Sequence, residues 1–146
     1  MKNKNTKGFT LMELTIVLAI LAIIAAILVP MFLTTTDRAR LRSDIQSARV
    51  IQNAMDLYRV ERGQAVAGGS NIDTVMTNLA TAGYLNLRNA TIQTEGAVWA
   101  IDDTRGVVVD IGGINVSDSV RTTVYRNLSP AERLMVRGGI PAGTGG

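Results

Sequence analysis

From Leu14 to Leu33 only Thr15 and Pro30 interrupt an otherwise unbroken apolar run. A helix that buries one face in a globular core repeats its apolar residues at steps of three and four, with polar residues between them. This run is apolar on every side, so it needs apolar surroundings on every side. Its twenty residues measure about 30 Å as a helix, the thickness of one hydrocarbon core. Lipid, or other chains packed around it, must enclose it.

The flank before the run gives its orientation. Met1 to Gly8 is polar and carries Lys2, Lys4 and Lys7 with no acid, and a basic N-terminal flank keeps that end cytoplasmic. These are all the lysines of the chain; every later basic residue is arginine. Fifteen Lys plus Arg stand against twelve Asp plus Glu, and setting the three lysines aside leaves twelve against twelve. The rest of the chain has no basic excess, and its arginines are interspersed with acids. That speaks against the basic patch of a nucleic-acid binder.

Two plain readings of the run are a secretory signal and a single-span anchor. A secretory signal has a shorter apolar region followed by a small-residue cleavage site. Ala22, Ala25 and Ala26 are present, but the run continues past them to Leu33. Glu13 fits neither reading. It lies inside the apolar stretch that begins at Phe9, where an ionisable group costs about 2.5–3.5 kcal/mol near a helix centre and less towards an end. Such a group marks a function and a partner.

Gly8-Phe9-Thr10-Leu11-Met12-Glu13-Leu14 resembles the prepilin cleavage motif of type IV pilins, competence pseudopilins and type II secretion pseudopilins. The resemblance covers about the first 35 residues and weakens through the helix beyond. It implies cleavage by a prepilin peptidase after Gly8 and methylation of the new amine at Phe9. It makes Glu13 the family's assembly glutamate and Pro30 its helix-breaking proline. The residues agree on their own terms: Lys7-Gly8 places the bond at the cytoplasmic face, and glycine lets a backbone approach an active site closely.

Pro30 removes a helical hydrogen bond, and Thr34-Thr35-Thr36 has weak helix propensity, so a kink or melted stretch is expected between Ala26 and Thr36. From Asp37 to Arg62 the pattern turns amphipathic. Leu41, Ile45, Ala48, Ile51, Met55 and Tyr58 form one stripe, broadened by Val50, Ala54 and Leu57. Charged residues, Asp44 among them, lie between and are expected to face solvent or neighbouring subunits. The stripe spans about three heptads without a strict apolar repeat, which favours packing on a domain over a coiled coil. One helix from Phe9 to Arg62, ended by Gly63, would be about 80 Å long.

Beyond it, Gln64 to Gly69 reads as a loop. Ser70-Asn71-Ile72-Asp73 starts a helix through Ala80 that Gly83 stops, and Tyr84, Leu85 and Leu87 anchor the next loop to the core. Ala97 to Ile101 and Val107 to Ile111 read as strands around the turn Asp102 to Gly106, with Ile114 to Val116 as an extension of the sheet. Ser117 or Asp118 caps a short helix through Leu128, and Ser129-Pro130-Ala131-Glu132 starts another that Gly138 ends.

There is no cysteine and no histidine, which removes thiolate chemistry and the commonest general base and metal ligand. The glycine pairs match no phosphate-binding loop. Asp102, Asp103, Asp110 and Asp118 raise the question of calcium, since some pseudopilins bind it in C-terminal loops. Their spacing is not that of the regular EF-hand, and turn and capping chemistry accounts for them.

The reading is therefore an α+β, pilin-like fold: a long N-terminal helix, transmembrane then amphipathic, packed on a small antiparallel sheet with short helices. The expected organisation is a cleaved basic leader at 1–8, a transmembrane and filament-core helix at 9–33 and an amphipathic helix at 34–63. A small domain at 64–140 and a flexible tail at 141–146 complete it. The expected function is structural, as a type IV pilus or pseudopilus subunit, with no enzyme activity, cofactor or metal. Within the family that leaves a major pilin, a minor pilin, or a secretion or competence pseudopilin. The rival from another class is a membrane-anchored binding domain that never polymerises. The partners implied by the resemblance are identical subunits, prepilin peptidase, a platform membrane protein and an assembly ATPase. The implied location is the cytoplasmic membrane before assembly and an extracytoplasmic or cell-surface filament after it.

Overall fold

No glycine occurs between Leu11 and Arg62, and one helix, α1 (Leu11–Arg62), runs through all of them. Gly63, at φ 69°, ends it, in the left-handed region that a residue without Cβ adopts freely. The computed structural model describes residues 8–139, with Pro30 by its backbone alone. The basic leader up to Lys7 and the tail at 141–146 lie outside the described residues. The helical backbone continues through Pro30 and Thr34–Thr36, so the expected break does not interrupt α1 in the single chain. A proline removes one backbone donor, and a long helix has cooperative turns on both sides to carry that loss.

The contacts divide the chain between Leu33 and Thr34. The first unit is the N-terminal part of α1. The second contains the amphipathic part of α1 and everything after it. Its remaining elements are α2 (Ile72–Thr81), a 3-10 turn at Leu87–Ala90, β1 (Val98–Asp102), β2 (Gly106–Asp110), a π-helical segment at Val120–Val124, α3 (Pro130–Leu134) and β3 (Val136–Arg137).

In the second unit the amphipathic stripe does what its period requires. Leu41, Ile45, Ala48, Ile51 and Ala54 are buried, together with Val75 and Leu79 of α2 and Val107 and Val109 of β2. Two expectations fail at the edges of the stripe. Val50 and Leu57 are 45% and 49% exposed, because they lie on the opposite side of the helix from Leu41 and Ala48. Asp44, read as a surface charge, is fully buried. It stands three residues after Leu41 and four before Ala48, which places it on the buried side. Its Oδ1 accepts the Gln93 amide at 2.8 Å and its Oδ2 the Thr94 amide at 2.8 Å. A buried carboxylate needs such donors.

The sheet is three-stranded in the order β1-β2-β3. β1 and β2 form the expected antiparallel hairpin, with Asp102 paired to Gly106 at its end. The Asp102 Oδ1 accepts the amides of Thr104 and Arg105, both at 3.1 Å, and so closes the turn. Gly106 sits at φ 77°, and a Cβ there would collide with Gln52 Oε1. That oxygen accepts the Val107 amide at 3.0 Å and ties the hairpin to α1.

β3 corrects the expected topology, because it pairs parallel to β2 through Val109–Val136 and Asp110–Arg137. The sheet is therefore mixed. Ile114 to Val116 forms turns and no strand, and Ile114 is 96% exposed. The helix after Ser129 stops at Leu134 and does not reach Gly138, since Val136 and Arg137 are drawn into the sheet. Leu87 is half exposed, leaving Leu85 as the buried anchor of its loop.

The caps follow the sequence closely. Asn71 accepts the Thr74 amide at 3.1 Å to start α2. Ser129 and Glu132 form a reciprocal capping box on α3. Glu132 also meets the Arg42 Nε of α1 at 3.1 Å.

Candidate functional site

The sequence-derived site residues, Gly8, Phe9 and Glu13, all fall at the start of the first unit. Gly8, Phe9 and Thr10 are exposed and non-helical, and α1 begins at Leu11. The peptide bond between Gly8 and Phe9 thus lies in exposed, non-helical chain just before the helix. A Cβ at Gly8 would meet nothing within 4 Å, and its φ lies outside the left-handed region. Nothing in the packing of the described residues calls for glycine there.

Glu13 lies three residues beyond the first residue of a local motif that sequence reasoning passed over. Thr10-Leu11-Met12-Glu13 is a capping box at the head of the apolar run. Glu13 Oε2 accepts the Thr10 amide at 2.9 Å and the Thr10 hydroxyl at 3.0 Å, while the Glu13 amide donates to Thr10 Oγ1 at 3.2 Å. The first turn of a helix carries unpaired amides and a positive dipole end, so a carboxylate there is favoured. None of these bonds involves a residue up to Gly8, so removal of the leader would leave them intact. The signal was a threonine three residues before a glutamate, directly ahead of an apolar run.

Every large apolar side chain described from Leu11 to Leu33 is exposed, from 42% at Leu28 to 82% at Leu11. The segment is long and apolar enough to cross a membrane. Nothing among the described residues of the unit covers this surface, and apolar surface of this extent is favoured in lipid or against other protein.

Three of the acidic residues raised as calcium ligands, Asp102, Asp110 and Asp118, are each engaged by an arginine. Asp102 accepts the Arg105 guanidinium at 2.7 Å. That contact, followed by the Thr104 hydroxyl and amide, holds its carboxyl well below the usual carboxylate range. Asp110 is bound by Arg137, and Asp118 by Arg121. Among the described residues no three acidic side chains come together as metal ligands.

Three comparisons with known proteins bear on these residues. Residues 3–29 match the family described as the prokaryotic N-terminal methylation motif. The chain is 58% identical over 36 residues to the type IV wide pilus major component PilA4 of Thermus thermophilus, covering 25% of this chain and 28% of that protein. It is 38% identical over 60 residues to prepilin peptidase-dependent protein A of Clostridium perfringens, covering 41% and 43%. With the type II secretion system core protein G of Aeromonas hydrophila it shares 24% identity over 82 residues, covering 56% and 57%. The chain thus spans about half, or less, of the length of these relatives. No solved structure matches it.

Proposed function

We propose that this chain, which carries the prepilin-type N-terminal segment of type IV pilins and type II secretion pseudopilins, is a filament subunit that polymerises through residues 9–33. The observation that carries the proposal is an exposed apolar helix that starts with a capping carboxylate right after an exposed Gly8-Phe9 pair. The family it resembles consists of structural subunits, not enzymes, and the proposed role is structural.

In this reading a prepilin peptidase removes Met1 to Gly8 and the Phe9 amine is methylated. The basic leader holds the N-terminus in the cytoplasm while α1 waits in the membrane. A platform membrane protein and an assembly ATPase then extract the subunit and add it to the filament. There the apolar faces of residues 14–33 exchange lipid for one another. Glu13, carried among apolar side chains, meets the amine of a Phe9 and fixes the axial register. An uncompensated carboxylate in such surroundings costs several kcal/mol. Any loosening of α1 at Pro30 belongs to the assembled state.

Processing is the direct test. Intact-mass analysis of the membrane form should give a chain that begins at Phe9 with one added methyl group. Gly8→Glu should leave the full-length precursor in the membrane. A mature form that retains Met1 to Gly8 overturns the proposal and favours a plain membrane-anchored domain.

A further inference from the structure

The amphipathic half of α1 has two faces, and only one of them is covered. Leu41, Ile45, Ala48 and Ile51 are at most 2% exposed. On the other side Ser43, Gln46, Val50, Asn53, Leu57 and Val60 recur at alternating steps of three and four, and all are exposed. That spacing keeps them on one side of a helix. Val50, Leu57 and Val60 are 45%, 49% and 81% exposed. Scattered apolar residues on a surface mean little. Three aligned on one helical face form a strip that water wets poorly and another surface can cover. Arg49 stands beside the strip, exposed, with no ion pair among the described residues.

Elsewhere on the second unit a cavity of about 550 Å3 opens among Asp37, Glu95, Ile114, Asp118 and Arg121. It holds three carboxylates and one guanidinium, and that guanidinium is paired with Asp118. Asp37 and Glu95 make no ion pair among the described residues. Ile114, in the wall of the cavity, is almost wholly exposed. The molecule therefore carries an aliphatic strip beside a spare cation, and a spare pair of anions beside an exposed aliphatic. Among the described residues no ion pair joins Arg49 to Asp37 or Glu95.

We propose that the outer face of α1 in one copy docks on this cavity in a second copy. The second copy's Ile114 lies on the Val50–Leu57–Val60 strip, and Arg49 reaches its Glu95 and Asp37. The contact is head-to-tail, and a head-to-tail contact that does not close on itself generates a helical filament. The inference rests on the filament reading and extends it from the apolar segment to a second contact between subunits.

The chain contains no cysteine, so introduced thiols report only on themselves. In the full-length chain, Leu57→Cys combined with Ile114→Cys should give, on oxidation of sheared filaments, a covalent ladder that neither single substitution gives. In a separate set, Arg49→Glu and Glu95→Arg should each lower filament yield about tenfold, the scale of one lost interfacial charge contact. The double swap should restore most of the yield. Wild-type yield in both charge variants, loss without rescue in the swap, or filaments without a ladder overturns the docking and leaves the filament reading standing. A ladder or dimer from a single cysteine variant also overturns it, because it reports a symmetric contact. A wild-type chain that is processed but never forms filaments overturns the filament reading itself.

Discussion

Glu13 and Asp44 sit on the same helix, and backbone amides hold both carboxylates. The bonds of Glu13 are local, all to Thr10 three residues away, and they use Oε2 alone. Those of Asp44 come from Gln93 and Thr94, 49 and 50 residues on, and they use both oxygens. Around Glu13 the neighbouring apolar side chains are exposed; around Asp44 they are buried. One carboxylate completes a fold within the chain. Among the described residues the other accepts only from its own helix turn, through one oxygen. The two parts of α1 differ in the same way, since the second unit covers its own core and the described residues of the first leave their apolar side chains exposed.

The strongest way to break this contrast is to separate the two parts. A chain that begins at Thr34 should be soluble, folded and monomeric by circular dichroism and sedimentation. An unfolded product, or one that polymerises like the full chain, would show that the two parts do not divide the work as proposed.

Substitution at the two carboxylates sharpens it. Glu13→Gln should leave cleavage after Gly8 and the melting of the second unit unchanged, while filament yield falls at least about tenfold. Asp44→Ala should do its damage in the fold, with a loss of about 3 kcal/mol on denaturant unfolding, because one buried and one partly buried amide lose their acceptor. Equal effects of both substitutions on stability would erase the distinction.

The smallest effect concerns acid. Arg105 first, then Thr104, holds the Asp102 carboxyl low, and the Ser129 cap first holds Glu132 low. A carboxyl that ionises more readily folded than unfolded contributes stability above its unfolded value, near pH 4, and loses it as pH falls further. The second unit should therefore destabilise progressively below about pH 4, and Asp102→Asn should flatten that acid limb. An unchanged slope would mean that the Asp102–Arg105 contact persists equally in the unfolded chain.

Where residues act on near neighbours, the sequence was easy to read. Asn71 before α2, the turn from Asp102 to Gly106 and the Ser129–Glu132 box all appear where their residue types predict. β3 was not readable, because Val136 and Arg137 follow a good helix start and become a strand only through β2, far away in sequence. Intrinsic preference cannot anticipate a pairing set by distant partners. The burial of Asp44 and the Thr10–Glu13 box were both written in the spacing. In each case the charge of the residue drew more weight than its position on the helix. The exposure of Val50 and Leu57 has the same origin, as aliphatic character stood in for helical angle.

β3 is only two residues long, yet it has a consequence for crowding. The β2 run Gly106-Val107-Val108-Val109-Asp110 has three β-branched residues in a row, the kind of segment that recruits foreign strands when an edge lies open. β1 shields one edge, and β3 occupies the other at Val109 and Asp110. Two arginines secure the guard: Arg105 donates to the Val136 carbonyl at 3.1 Å, and Arg137 binds Asp110. This end of β2 is thereby withheld from pairing with other chains, which disfavours amyloid-like association.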